Sequence, residues 1–110
     1  MKFSCETPMP NAPPSDFCNN IKDTSKIIIA YEPVWSIGTG LIPKSNDLIN
    51  SISYIKSKFN KKTPKVLYGG SVNEKNIAEL KDINVIDGFL VGGASQSSKK
   101  FIDIIKKTFN

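Results

Sequence analysis

The chain has 110 residues, 39% of them hydrophobic and 23% charged, and lysine plus arginine exceed aspartate plus glutamate by 15 − 10 = 5. That length suits one small domain with its own core, and the basic excess is spread without a run of five or six cations, which argues against nucleic acid as a partner and is compatible with a small anionic substrate. The longest apolar runs, such as Lys26-Ile27-Ile28-Ile29-Ala30, are far too short to span a bilayer, and the N-terminus lacks a signal-peptide core, so no membrane contact and a cytoplasmic setting are expected.

Residues 1–25 read as an irregular or disordered lead-in. Pro8, Pro10, Pro13 and Pro14 remove backbone donors and disfavour helix in the residues before them, and Asn19, Asn20 and Asp23 follow; a short helix near Asp16 to Ile21 is the one element suggested. Cys5 and Cys18 are the only cysteines, they form no Cys-x-x-Cys pair, and no histidine exists to complete a zinc site or a nucleophile–base pair. Free thiols and no metal are the expectation.

Ordered structure is expected from Lys26, over residues 26–110. Ile27 to Tyr31 is a β-branched run of the kind buried on both faces of a parallel sheet. Beyond Pro43, Leu48, Ile49, Ile52, Ile55 and Phe59 recur at helical spacing, with Lys58, Lys61 and Lys62 at the end of the helix, where cations favour the negative pole of its dipole. Pro64 separates this helix from a second strand, Val66 to Tyr68, which Gly69-Gly70 ends. Asn73 can cap a short helix carrying Ile77, Ala78 and Leu80. The turn-like Asp87-Gly88 leads to a third strand, Phe89 to Val91, and a last helix carries Phe101, Ile102, Ile104, Ile105 and Phe109 on one side and lysines on the other. Strand and helix thus alternate three times, which defines an α/β protein with a parallel sheet.

Each strand ends in residues that a plain connector would not need. After the first come Glu32, Pro33 and Ser36-Ile37-Gly38-Thr39-Gly40; after the second, Gly69-Gly70-Ser71; after the third, Gly92-Gly93-Ala94-Ser95. Ligands of parallel α/β folds bind at this carboxyl edge, where glycine lets backbone approach an anion and helix N-termini offer unpaired N–H groups. Taken singly, each feature also has a plain structural use. A glycine pair can be an ordinary turn, Glu32 a solvated or ion-paired carboxylate, Pro33-Val34-Trp35 a rigid turn whose indole covers the core, and Tyr68 an aromatic packed under the loop.

The stretches Ala30–Gly40 (AYEPVWSIGTG), Tyr68–Val72 (YGGSV) and Asp87–Ser95 (DGFLVGGAS) resemble, in order and spacing, the loops after strands six, seven and eight of the triosephosphate isomerase family, and the match covers about residues 26–110. The resemblance implies a partial (β/α)8 TIM barrel of about three C-terminal βα units that acts on triose phosphate without cofactor. It makes Glu32 the base that moves a proton between adjacent carbons through an enediolate. Pro33 and Trp35 become the stiff hinge of a lid that includes Ile37 and Thr39, and Gly38, Ser71, Gly92 and Gly93 become backbone donors to the phosphate. Ile37 and Leu90 would flank Glu32 with apolar surface and keep it dry, and Tyr68 would steady the closed lid.

The sequence departs from the family where it lacks counterparts of the substrate-binding Asn and Lys after strand one and of the electrophilic His after strand four. The second lid hinge reads Leu41-Ile42-Pro43 where the family often has Lys-Thr-Ala, and Gln96 stands where Leu is common. An isolated chain is therefore expected to be inactive, as a truncated isomerase; the alternative is a non-catalytic remnant or half-barrel that binds phosphate or needs a complementary N-terminal chain. The homodimer of the intact family is expected to depend on segments outside this sequence.

Overall fold

The computed structural model describes residues 2–5, 26–59 and 62–110. Four strands make one sheet of order β1-β2-β3-β4, in which β1 is Lys2–Cys5, β2 Ile28–Pro33, β3 Lys65–Tyr68 and β4 Gly88–Phe89. Every neighbouring pair is parallel: Ser4 lies opposite Glu32, Tyr31 opposite Tyr68, and Tyr68 opposite Phe89. Helices α1 (Ser45–Ser57), α2 (Ile77–Leu80) and α3 (Ser98–Thr108) follow β2, β3 and β4 in turn, so the alternation expected from residue 26 onward is present.

Several expectations change in detail. Four residues of the expected lead-in, Lys2–Cys5, form a strand and pair with β2, which makes β2 an inner strand of the sheet. The alternation of Lys2-Phe3-Ser4-Cys5 is too short to mark a strand against the prolines that follow; its pairing comes from the backbone edge that β2 presents. The short helix near Asp16–Ile21, the proline cluster, Cys18 and Lys61 lie outside the described residues. The first strand runs on through Glu32 to Pro33. The third strand is only Gly88–Phe89, because beyond it a single bond, Leu90 N–H to the Tyr68 carbonyl at 2.9 Å, continues the contact with β3.

One face of the sheet holds the core. Ile29 and Tyr31 alternate toward it from β2, as do Val66 and Tyr68 from β3, and they meet Leu48, Ile52 and Ile55 of α1, Ile77 and Leu80 of α2, and Ile104 of α3. Leu48, Ile52 and Ile55 stand three or four residues apart, which sets them on one stripe of α1. Each such side chain contributes about 1.5–3 kcal/mol when fully buried. Alternation carries Ala30 and Glu32 to the opposite face of β2.

Helix α3 buries only Ile104; Phe101, Ile102, Ile105 and Phe109 stay between 38% and 84% exposed. The apolar side read from the sequence is thus largely uncovered, because among the described residues β4 is the last strand and offers the helix little sheet beyond it. Asp87, read as part of a turn, instead ties β4 to β3. Its carboxylate accepts the Val66 N–H at 2.8 Å and pairs with Lys56 Nζ at 2.9 Å, and its own N–H donates to the Val66 carbonyl at 2.9 Å.

Candidate functional site

The carboxyl edge of the sheet opens into a cleft of about 580 Å³ lined by Glu32, Ile37, Gly38, the glycines at 69 and 70, Ser71, Leu90, Gly92 and Gly93. Three loops far apart in sequence converge here because parallel strands deliver all their carboxyl ends to one edge. Glu32, the last residue but one of β2, is 6% exposed.

Gly69 makes room for that carboxylate. A Cβ at Gly69 would come within 2.8 Å of Glu32 Cγ, 3.0 Å of Glu32 Oε1 and 3.2 Å of Leu90 Cβ. Gly70 is held by a different neighbour, since its Cβ would overlap the Tyr68 hydroxyl and Ser36 Oγ. The pair read as a turn therefore does two jobs, one for the carboxylate and one for the lid. Gly38 and Gly40, at φ of +70° and +77°, occupy the left-handed region that L side chains adopt only at a cost.

Pro33 closes β2 and is buried, and Val34–Ser36 makes one 3-10 turn at the start of the 36–41 loop, the segment expected to act as a lid. Trp35 is 42% exposed, so its indole does not cap the core; Ile37 and Leu90, at 47% and 42%, line the cleft with Glu32 while staying half open to solvent. Thr39 acts inside the lid: its hydroxyl donates to the Ser36 carbonyl at 3.3 Å and accepts the Leu41 N–H at 3.1 Å.

Tyr68 is fully buried beneath the lid, with its hydroxyl 2.8 Å from Ser36 Oγ. Burial pushes its phenol above the ordinary range, partly offset by its hydrogen bond with Ser36 and one with the Ser71 backbone, so it is neutral at physiological pH. Ser71 also binds the lid. Its N–H donates to Ser36 Oγ at 3.2 Å, its hydroxyl donates to the Ser36 carbonyl at 2.5 Å, and that hydroxyl accepts the Gly40 N–H at 2.9 Å. In this arrangement the Ser71 N–H serves the lid rather than the cleft. Gly92 and Gly93 sit where the chain enters the 3-10 turn Gly93–Gln96, and a Cβ at either would meet nothing within 4 Å.

Sequence reasoning did not single out Ser36, Asn76, Lys75 or Lys100. Asn76 donates from Nδ2 to the Ser71 carbonyl at 2.9 Å, while the Asn76 and Asn73 side chains cap each other's backbone N–H groups at 2.9 and 3.0 Å. That reciprocal cap, with Asn in place of the usual Glu or Gln, was legible in the Asn-x-x-Asn spacing. Lys75 and Lys100 line the cleft mouth, and only tertiary proximity reveals them.

A parallel sheet whose strands alternate with helices, with glycine loops gathered at its carboxyl edge, is the architecture of a partial α/β TIM barrel. The chain matches the triosephosphate isomerase family model over residues 14–108 and belongs to that family. It is 53% identical over 87 residues to the triosephosphate isomerase of Mycoplasma mobile, an alignment that takes in 79% of this chain and 36% of that protein. Identity to the enzyme of Yarrowia lipolytica is 50% over 91 residues, covering 77% of this chain and 36% of the relative, and to that of Debaryomyces hansenii 47% over 93 residues, covering 78% and 37%. The chain thus spans little more than a third of the length of the curated relatives it matches. No helix among the described residues is long and apolar enough to cross a membrane.

Proposed function

We propose that the chain carries the proton-transfer base and the phosphate grip for interconversion of glyceraldehyde 3-phosphate and dihydroxyacetone phosphate. The Glu32 carboxylate takes a proton from the carbon beside the carbonyl, leaving an enediolate, and returns it to the neighbouring carbon. Backbone N–H groups of Gly38, Gly92 and Gly93 hold the phosphate, with Ser71 anchoring the lid, and no metal or organic cofactor takes part. Closing the Ile37–Gly40 segment over the cleft expels water from the reacting atoms. The observation that carries this reading is the burial of Glu32, 6% exposed, in the same cleft as the glycine loops.

The developing oxyanion needs a donor opposite Glu32. The sequence contains no histidine, and a single such donor supplies roughly 10²–10³ in rate. The 110 residues alone are therefore inactive, and turnover requires the other strands of the barrel. A cytoplasmic location and a dimer of the completed barrel belong to the same reading. The lack of histidine also favours a second reading, a non-catalytic phosphate-binding module.

The test is turnover of glyceraldehyde 3-phosphate by the purified chain, alone and mixed with a chain carrying the first 150 or so residues of a relative, each run beside Glu32→Gln. Activity only in the mixture, and lost in Glu32→Gln, is expected. Turnover in the mixture that survives Glu32→Gln would remove Glu32 as the base. An inert mixture whose glycine amides still shift with inorganic phosphate in NMR spectra would favour the binding module.

A further inference from the structure

The junction beneath the lid has a hydroxyl at its centre that the family reading does not use. Ser36 is fully buried, and its Oγ lies 2.6 Å from the Leu41 carbonyl, 2.8 Å from the Tyr68 hydroxyl and 3.2 Å from the Ser71 nitrogen. A serine hydroxyl has one proton and two lone pairs. The Leu41 carbonyl can only accept and the Ser71 N–H can only donate, so the Ser36 proton goes to Leu41 and one lone pair goes to Ser71. Tyr68 must then donate into the remaining lone pair. All three valences are used, and only this orientation satisfies every partner.

The three partners belong to three segments: Leu41 to the far end of the lid, Tyr68 to the end of β3, and Ser71 to the rim loop. A second set of bonds runs beside the first, from the Gly40 N–H to Ser71 Oγ at 2.9 Å and from that hydroxyl to the Ser36 carbonyl at 2.5 Å. Both ends of the lid are thus tied to the rim through residue 36. Between them Ile37, Gly38 and Thr39 stand exposed over the cleft. Nothing else fits in this space, as the overlap of a Gly70 Cβ with Tyr68 and Ser36 shows.

We propose that the Ser36 hydroxyl is the latch that holds the 36–41 lid on the rim loop, a positioning residue that acts through Tyr68 and Ser71. Removing it leaves the buried Tyr68 donor and the Leu41 carbonyl without their partner, and the lid loses the junction that joins its two ends. The bearing of the latch on triose phosphate chemistry rests on the proposed function; the latch itself does not.

The test is amide hydrogen exchange in the full chain without substrate, with the Gly40 N–H as reporter of lid opening and the Ile52 N–H, inside α1, as reporter of global unfolding. Ser36→Ala should speed exchange at Gly40 about tenfold and leave Ile52 unchanged. Tyr68→Phe should speed Gly40 several-fold, and adding it to Ser36→Ala should add nothing, because the two share one junction. Unchanged exchange at Gly40 in Ser36→Ala, or acceleration by the same factor at Ile52, overturns the latch. If Ser36→Ala does not fold, the Tyr68→Phe comparison decides: faster Gly40 with steady Ile52 supports the latch, and any other pattern overturns it. Failure of the isomerase reading would appear in the turnover assay and leave these exchange rates untouched.

Discussion

Replacing Gly70 by alanine should be the most damaging single-methyl change in the chain. The new Cβ would lie 2.5 Å from Ser36 Oγ and would also overlap the Tyr68 hydroxyl, whereas real Cβ contacts stay beyond about 3 Å. Neither neighbour can yield freely. Tyr68 is fully buried in the core, and Ser36 has all three of its hydrogen-bonding valences in use. Relief therefore requires breaking one or two bonds of about 1 kcal/mol each on top of an overpacking cost of about 1–3 kcal/mol, or roughly 3 kcal/mol together. Gly93→Ala is the control, since a Cβ there meets nothing within 4 Å and the residue has no positive φ; it should be neutral or stabilise by up to about 1 kcal/mol. Urea unfolding followed by Trp35 fluorescence reads both. With a slope of about 1–2 kcal/mol per molar urea, Gly70→Ala should lower the midpoint by about 1.5–3 M. A Gly70→Ala midpoint equal to that of Gly93→Ala would refute the steric account of this glycine.

Ser51 Oγ, in α1, is a buried hydroxyl without a hydrogen-bond partner among the described residues, so Ser51→Ala should raise the same urea midpoint by an amount worth about 1 kcal/mol, through lost desolvation and better helix propensity. Ile52, fully buried among β2, β3 and α1, should cost about 2–5 kcal/mol when cut to alanine. Burial alone would raise the Asp87 carboxyl, but the Val66 N–H, the Lys56 bond and the charges of Lys56 and Lys65 outweigh it and hold it below its ordinary 3.8. A lowered carboxylate contributes stability that is fully present above the ordinary value and is lost as pH falls through the lowered one. Melting temperature should therefore show an acid limb beginning near pH 4 that is shallower in Asp87→Asn.

The strand–helix alternation and the three rim loops were legible because they rest on short-range rules: β-branched runs, the three-to-four-residue spacing of Leu48, Ile52 and Ile55, and glycine as punctuation. The location of Glu32 at a strand end followed from the same pattern. Strand β1 was not legible, since the polar–apolar alternation of Lys2–Cys5 runs over only four residues just ahead of a proline-rich stretch, and its pairing depends on the backbone edge that β2 offers. The uncovered side of α3 was equally hidden: the periodic apolar residues were there, but whether a periodic face is buried depends on how much sheet lies beneath it.

By itself, then, the amino-acid sequence determined that this is a parallel α/β chain of the triosephosphate isomerase family, with a carboxylate and glycine loops on one edge and no histidine among them. Only the tertiary structure decided what each glycine is for and which hydroxyl joins the lid to the rim. Gly69 and Gly70 look alike in sequence, yet one clears space for Glu32 and the other for Tyr68 and Ser36. Periodicity and turn chemistry act over a few residues and leave their mark in local sequence, whereas a steric gap or a saturated hydroxyl is created by residues more than thirty positions apart and exists only once the chain has folded.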